Sequence, residues 1–193
     1  MVVDQRKPGD IAKLADTVRG QWGGIDILFL NAGIAVLGPT EGQSEEQFDD
    51  QMDTNVKGPF FTMQKLAPLL RQGSSVIVTT SVADQKGFPG MAAYAASKAA
   101  LRSFVRTWAA EFKDRGIRVN SVAPGPIETP IIGKMGLDEA QLNDMAASFQ
   151  SMVPLGRFGA PAEIAAAVAF LASSDASYMT GEEITVAGGM QAI

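Results

Sequence analysis

The chain contains no cysteine and no histidine. Without thiols it has no disulfide framework and no thiolate metal site. With imidazole absent too, a transition-metal centre would rest on carboxylates alone, so no metal is expected. The usual proton carrier near neutral pH and the softest nucleophile are both missing. Aromatic residues make up 7% of the chain, and only two of them are tyrosines, Tyr94 and Tyr178. No apolar run approaches the length of a membrane span, and Met1 to Lys7 has no signal-peptide apolar core. Basic residues form no cluster, and the net charge of −5 argues against nucleic acid or an anionic membrane as a partner. The cytoplasm is the expected location.

What is present fits one globular domain over residues 1–193, with 46% apolar and 19% charged residues. Short β-branched runs alternate with helix-like segments, which predicts an α/β fold with a mostly parallel sheet. Val2-Val3 reads as the tail of a strand, Asp10 to Trp22 as an amphipathic helix, and Ile25 to Leu30 as a buried strand closed by Asn31-Ala32-Gly33. Ser44 and Gln47 form a capping box for a long helix that Pro59 should bend. Strands follow over Ser75–Thr80, Ile117–Val122 and Glu183–Val186. Helices are expected over Met91–Arg115, with Gly116 as its C-terminal cap, near Leu137–Gln150, and over Ala160–Leu171. No repeat, linker or low-complexity tract divides the chain.

The most informative pattern is Ser81, Tyr94 thirteen residues later and Lys98 four further on. Tyr94 and Lys98 share a helix face at i, i+4, which brings an ammonium beside a phenol. A neighbouring cation favours phenolate, so the spacing predicts a phenol pKa below about 10 and a usable general acid/base. The pair alone is equally a half-buried tyrosine beside a solvated lysine. Ser81 falls at the end of a β-branched run, at the margin where parallel sheets place ligands, or is a plain strand-end cap. Asn55 sits mid-helix, where asparagine needs a reason: it either satisfies carbonyls freed by a kink before Pro59 or has a role in the site.

Taken together, Asp26–Gly33, Asn55-Val56-Lys57-Gly58, Thr80-Ser81, Tyr94-x-x-Ser97-Lys98, Arg118–Gly125, Thr180-Gly181 and Gly188-Gly189 resemble the short-chain dehydrogenase/reductase family. The resemblance runs from about Val2 to Met190. Its overall look is similar to bacterial reductases acting on 3-oxoacyl groups, sugars or small ketones. It implies a three-layer, Rossmann-like doubly wound parallel sheet and an NAD- or NADP-dependent oxidoreductase that interconverts a secondary alcohol and a ketone. It further implies that Tyr94 exchanges the proton, Lys98 tunes it and binds the nicotinamide ribose, Ser81 orients the substrate oxygen, and Asn55 supports the proton relay. Asp4 would lie near the adenine, and Asn31, Ala32 and Gly33 against the adenosine. Pro124, Gly125, Ile127 and Thr129 would surround the nicotinamide, and Ile131 to Pro154 would cover the substrate, with Met135, Leu137, Leu142, Met145 and Phe149 as an apolar wall or as ordinary core. The small-molecule alcohol or ketone would be the main partner. The helix carrying Leu101, Phe104, Val105, Trp108 and Phe112, with Asp49–Ala67, would make a homodimer or homotetramer face.

Two departures stand out. Ala187 occupies a position where the family usually has Asp. None of the 20 glycines forms a Gly-x-Gly pair, so a pyrophosphate cradle has no candidate. On the order of 50–60 residues at the front, two βαβ-type strands with their Gly-rich turn, are expected to be absent. Val2-Val3 would then lack a neighbour, and Ile25–Leu30 would be an exposed apolar edge. The alternative to an enzyme is a truncated, catalytically silent subunit that acts only by associating with intact ones.

Overall fold

The structure, a computed structural model, describes residues 1–129 and 138–192. Four strands, β1 (Ile25–Leu30), β2 (Leu70–Thr79), β3 (Arg118–Pro124) and β4 (Glu183–Val186), form one all-parallel sheet in chain order. Helix α1 (Pro8–Trp22) precedes β1, and between the strands run α2 (Glu45–Met52), α3 (Gly58–Leu66), α4 (Ala92–Phe112), α5 (Glu139–Met152) and α6 (Pro161–Ala172).

The period-two alternation of β2 builds the layers. Val76 and Val78 face α3 and α4, packing with Met63, Leu101, Val105 and Trp108. Ile77, between them, faces the other way and packs with Leu171 and the half-buried Ile164 and Val168 of α6. Both faces of the sheet are therefore covered at β2, which reads as a continuous apolar run from Val76 to Val78. Helix α1 adds Ile11, Ala15 and Val18 to the buried set, with Ala15 and Val18 against Leu66.

Several local expectations hold in detail. Ser44 accepts a hydrogen bond from the Gln47 amide while the Gln47 side chain accepts from the Ser44 amide, closing the capping box of α2. Gly116 ends the helical run after α4 in the left-handed region, at φ 63°. Others do not hold. Val2-Val3 forms no strand among the described residues, and Val2 is 96% exposed, because no neighbouring strand lies beside it. β2 starts five residues earlier than its β-branched run, at Leu70 rather than Ser75, since parallel pairing with Ile25 extends it through Gly73 at φ 78°. The expected lid residues Gly133, Met135, Gly136 and Leu137, with Pro130 and Ile131, lie outside the described residues.

The bend expected at Pro59 is a change of helical register. Residues Asp53–Lys57 form a π-helical turn, in which the Gly58 amide donates to the Asp53 carbonyl. Pro59 has no N–H for the Asn55 carbonyl four residues back, so the α-helical ladder cannot run through this point. Gln5 takes up a carbonyl in the disturbed turn, donating to Thr54 at 2.7 Å, and also to Ala32 at 3.1 Å. Gly58 makes room for it: a Cβ there would lie 2.7 Å from Gln5 Cγ.

The outer edge of β1 carries exposed apolar residues, with Ile27 54% and Phe29 39% exposed. Leu28 and Leu30, on the opposite face, join the main core. Phe48 and Phe60 are 43% and 39% exposed, whereas Trp108, expected on an association face, is core. Leu101 is 2% exposed at the centre of the α4–sheet contact. Leu101→Ala should therefore cost about 2–5 kcal/mol, read as a lower urea midpoint with an unchanged slope.

Candidate active site

At the carboxyl ends of the strands lies a cavity of about 840 Å³. This is where an open parallel sheet offers a crevice. Asn31, Ala32 and Gly33 follow β1, Ser81 follows β2, and Pro124 closes β3 with Gly125, Ile127 and Thr129 after it. Tyr94 and Lys98 enter from α4, and all of these line the cavity. Asn55 stands directly behind Gly33. Asp4 does not reach the cavity lining: it is paired with Arg6 at 3.1 Å, and its amide donates to the Asp10 carboxylate.

Lys98 is 4% exposed and donates to the Thr79 carbonyl at 3.0 Å. An ammonium has three donors, so most of its capacity is left for a ligand. Burial holds its pKa down to about 8, partly offset by the negative field of Asp84. Gly33 is glycine for the same reason: a Cβ there would stand 3.2 Å from Asn55 Oδ1 and 3.3 Å from Lys98 Nζ. Its smallness makes room for protein side chains behind the loop.

Asn55 is fully buried and works through its side chain, not by satisfying kinked helix carbonyls. Its Oδ1 accepts from the Ile34 amide at 2.9 Å, and its Nδ2 donates to the Ile34 carbonyl at 2.8 Å and to Ser97 Oγ at 3.0 Å. It thus fastens the loop after β1 to α4. The π turn sets this inward side chain, a feature that no local propensity announces.

Ser81 Oγ accepts from the Ala83 amide at 3.2 Å, capping the 3₁₀ turn Val82–Asp84. The cap reading of Ser81 is therefore correct as far as it goes, yet the hydroxyl hydrogen stays free. It faces Tyr94, where hydrogen bonding pulls the phenol pKa down. Burial outweighs this and pushes Tyr94 above the ordinary tyrosine value, with the Asp84 charge acting in the same direction. The expected lowering by Lys98 is not found: its Nζ lies 5.8 Å from the ring centroid and is turned to Thr79.

Apolar side chains complete the cavity. Leu37, Phe88, Met91, Met145, Phe149 and Met190 stand on the walls, and the Phe88 and Phe149 rings meet edge-to-face at 6.1 Å. Among the described residues, Met145 and Phe149 are the expected wall positions that reach it; Leu142 is half-buried and does not line it. Gly125 admits Ala187, since a Cβ on it would lie 2.7 Å from the Ala187 Cβ. The approach demands glycine at 125, since the Cβ it would meet is one that any non-glycine residue at 187 carries.

Sequence reading missed Asp84, whose side chain is fully buried beside Arg102, and Glu183, to which Thr80 and Ser121 donate. Nothing in the spacing of these two acids marks them, because sheet order alone brings them to this end of the molecule.

Hydroxyls and a buried ammonium thus converge on a crevice at the carboxyl end of a parallel α/β sheet, where such folds place ligands. A family model described as enoyl-(acyl carrier protein) reductase matches residues 1–191. Oxidoreductase asL5 of Sarocladium schorii is 40% identical over 186 residues, covering 95% of this chain and 73% of that protein. 3-oxoacyl-[acyl-carrier-protein] reductase FabG of Thermotoga maritima is 39% identical over 182 residues, covering 93% and 72%. The crystal structure of levodione reductase superposes with a TM-score of 0.93 at 35% identity, covering 100% of this chain and 76% of that one. The chain belongs to the short-chain dehydrogenase/reductase family. It is an oxidoreductase of the kind that uses NAD or NADP.

Lys98 titrates lower in the folded chain than its ordinary 10.5. The stability it contributes is therefore present above about 10.5 and is lost as pH falls to about 8. Urea midpoints of the native chain should rise across that window relative to Lys98→Met, whose difference curve should carry the whole of the slope.

Proposed function

We propose that this chain interconverts a secondary alcohol and a ketone, with Tyr94 as general acid/base. The observation that carries the reading is that Ser81, from the end of β2, and Tyr94 and Lys98, from α4, line one cavity at the carboxyl end of the sheet. In ketone reduction the substrate oxygen sits between the Ser81 and Tyr94 hydroxyls, both donating to it. As negative charge develops there, the Tyr94 proton passes from Oη to the oxygen. The raised phenol pKa keeps Tyr94 protonated through neutral pH, which suits the acid role in reduction. Alcohol oxidation needs the deprotonated group, so it gains as pH rises.

The cavity suits a nicotinamide nucleotide. Asn31, Ala32 and Gly33 offer a backbone wall, Pro124, Gly125, Ile127 and Thr129 a second one, and Lys98 retains free donors for sugar hydroxyls. When bound, the nicotinamide supplies the hydride chemistry. The protein's residues orient the substrate oxygen, exclude water and move the proton. Pro59 leaves the Asn55 carbonyl without its usual amide, an acceptor for a water that refills the relay through Lys98.

The substrate end is walled by Leu37, Phe88, Met91, Phe149 and Met190, which favours an uncharged, largely apolar ketone. Residues 1–193 act as one domain in this reading. The half-exposed Phe60 and Phe61 beside Phe104 support association as a homodimer or homotetramer through α3 and α4. No helix among the described residues is long and apolar enough to cross a membrane. A cytoplasmic location, where nicotinamide nucleotides are supplied, belongs to the same reading.

Tyr94→Phe should lower turnover of apolar ketones by about 10²–10⁴-fold or more while NADH or NADPH still raises the melting temperature. Full turnover in that variant would remove Tyr94 from the chemistry. In the native chain, reduction should weaken and oxidation strengthen with rising pH in initial-rate measurements. Parallel pH dependence in both directions would contradict the proton assignment.

A further inference from the structure

The alcohol–ketone reading leaves one buried acid unused. Asp84 ends the 3₁₀ turn that begins one residue after Ser81, and its side chain is wholly buried. Its Oδ2 lies 3.2 Å from Arg102 Nε, yet neither carboxylate oxygen accepts a hydrogen bond, and Arg102 Nε has no acceptor either. Arg102 instead donates to the Asp84 main-chain carbonyl at 3.2 Å. A desolvated carboxyl in contact with a cation but without a hydrogen bond is an expensive arrangement, and its presence asks for a use.

A second acid stands nearby on β4. Glu183 is held by the Thr80 hydroxyl, by the Ser121 hydroxyl at 3.1 Å and by the Gln85 side chain. With its oxygens occupied by these donors, Glu183 adds its negative charge to the surroundings of the Asp84 carboxyl. Among the described residues, the charged or titratable groups facing Asp84 are Arg102, Lys98 and Tyr94 from α4 and Glu183 from β4. Lys86, two residues on, is turned away to the Met190 carbonyl.

We propose, on the basis of the alcohol–ketone reading of the same cavity, that Asp84 is a positioning residue whose charge governs proton release from Tyr94 and Lys98. Burial and Glu183 raise its carboxyl to about 6, against the pull of Arg102. Below that pH Asp84 is neutral. Above it, the carboxylate favours the protonated phenol and the charged ammonium alike, raising both pKa values. Asp84 thus adds to burial in holding the Tyr94 proton and opposes burial in holding the Lys98 proton. In a chain without histidine or cysteine, Asp84 at about 6 and Lys98 at about 8 bracket neutral pH.

Two measurements on the intact chain test this without relying on turnover. In a Tyr178→Phe background Tyr94 is the sole tyrosine, and tyrosinate absorbance against pH gives its midpoint directly. Adding Asp84→Asn should lower that midpoint by about one pH unit. With ¹³C-carboxyl-labelled aspartate, one resonance should titrate near 6. It should disappear in Asp84→Asn, move to lower pH in Glu183→Gln and move to higher pH in Arg102→Met. If Asp84→Asn does not fold, these opposite shifts in the two neighbours carry the test. An aspartate set that titrates wholly in the ordinary range, or a Tyr94 midpoint unmoved in folded Asp84→Asn, overturns the proposal. Turnover surviving in Tyr94→Phe while the phenol still follows Asp84 would remove the catalytic reading and leave the coupling standing.

Discussion

The structure is organised around a cation that is 4% exposed at the wall of the cavity. Burying an ammonium is costly unless acceptors and opposite charge meet it. Lys98 finds one acceptor at the last residue of β2, and the carboxylate field of Asp84 from the turn that follows. For that contact to form, α4 must lie across the end of the sheet and the loop after β1 must have no side chain at Gly33. Strand, helix and loop are thereby fixed relative to one another by a single side chain.

Polar groups buried around this point continue the same logic. Asn55 ties the β1 loop to α4, and Asn120 ties β3 to the approach to β4, donating to the Met179 carbonyl at 2.9 Å and accepting from the Glu182 amide at 3.1 Å. Ser75 and Arg118, at the other end of their strands, both reach the Leu171 carbonyl at the close of α6. Each satisfied group rigidifies a neighbour, and an interior network of this kind specifies one arrangement of the layers. The apolar core supplies the driving force, while these bonds determine which loop ends face the cavity.

Much of this was legible in the chain itself. The alternating apolar run of β2, the Ser44–Gln47 box and Gly116 each carry a local signal, and each forms as its residues dictate. Ser81, Tyr94 and Lys98 were legible as a set because i, i+4 spacing and a strand end are both local properties. The π turn was not, because Pro59 announces a broken ladder without saying how the helix resolves it. Nor was the direction of the Tyr94 shift, which depends on how deeply the ring is buried and on an acid at position 84 that spacing does not connect to it. Val2-Val3 looked like a strand because β-branched residues favour one, but a strand exists only when another lies beside it.

The strictly sequential order of the sheet has a bearing on how the molecule is made. Among the described residues β2, β3 and β4 each pair with the strand before them in the chain, so these strands can join the sheet in the order in which the ribosome releases them. Each addition covers a margin of its predecessor, while Ile27 and Phe29 of β1 keep apolar surface that none of the three additions reaches. A chain folding in this order leaves that surface open to a chaperone until all four strands are in place.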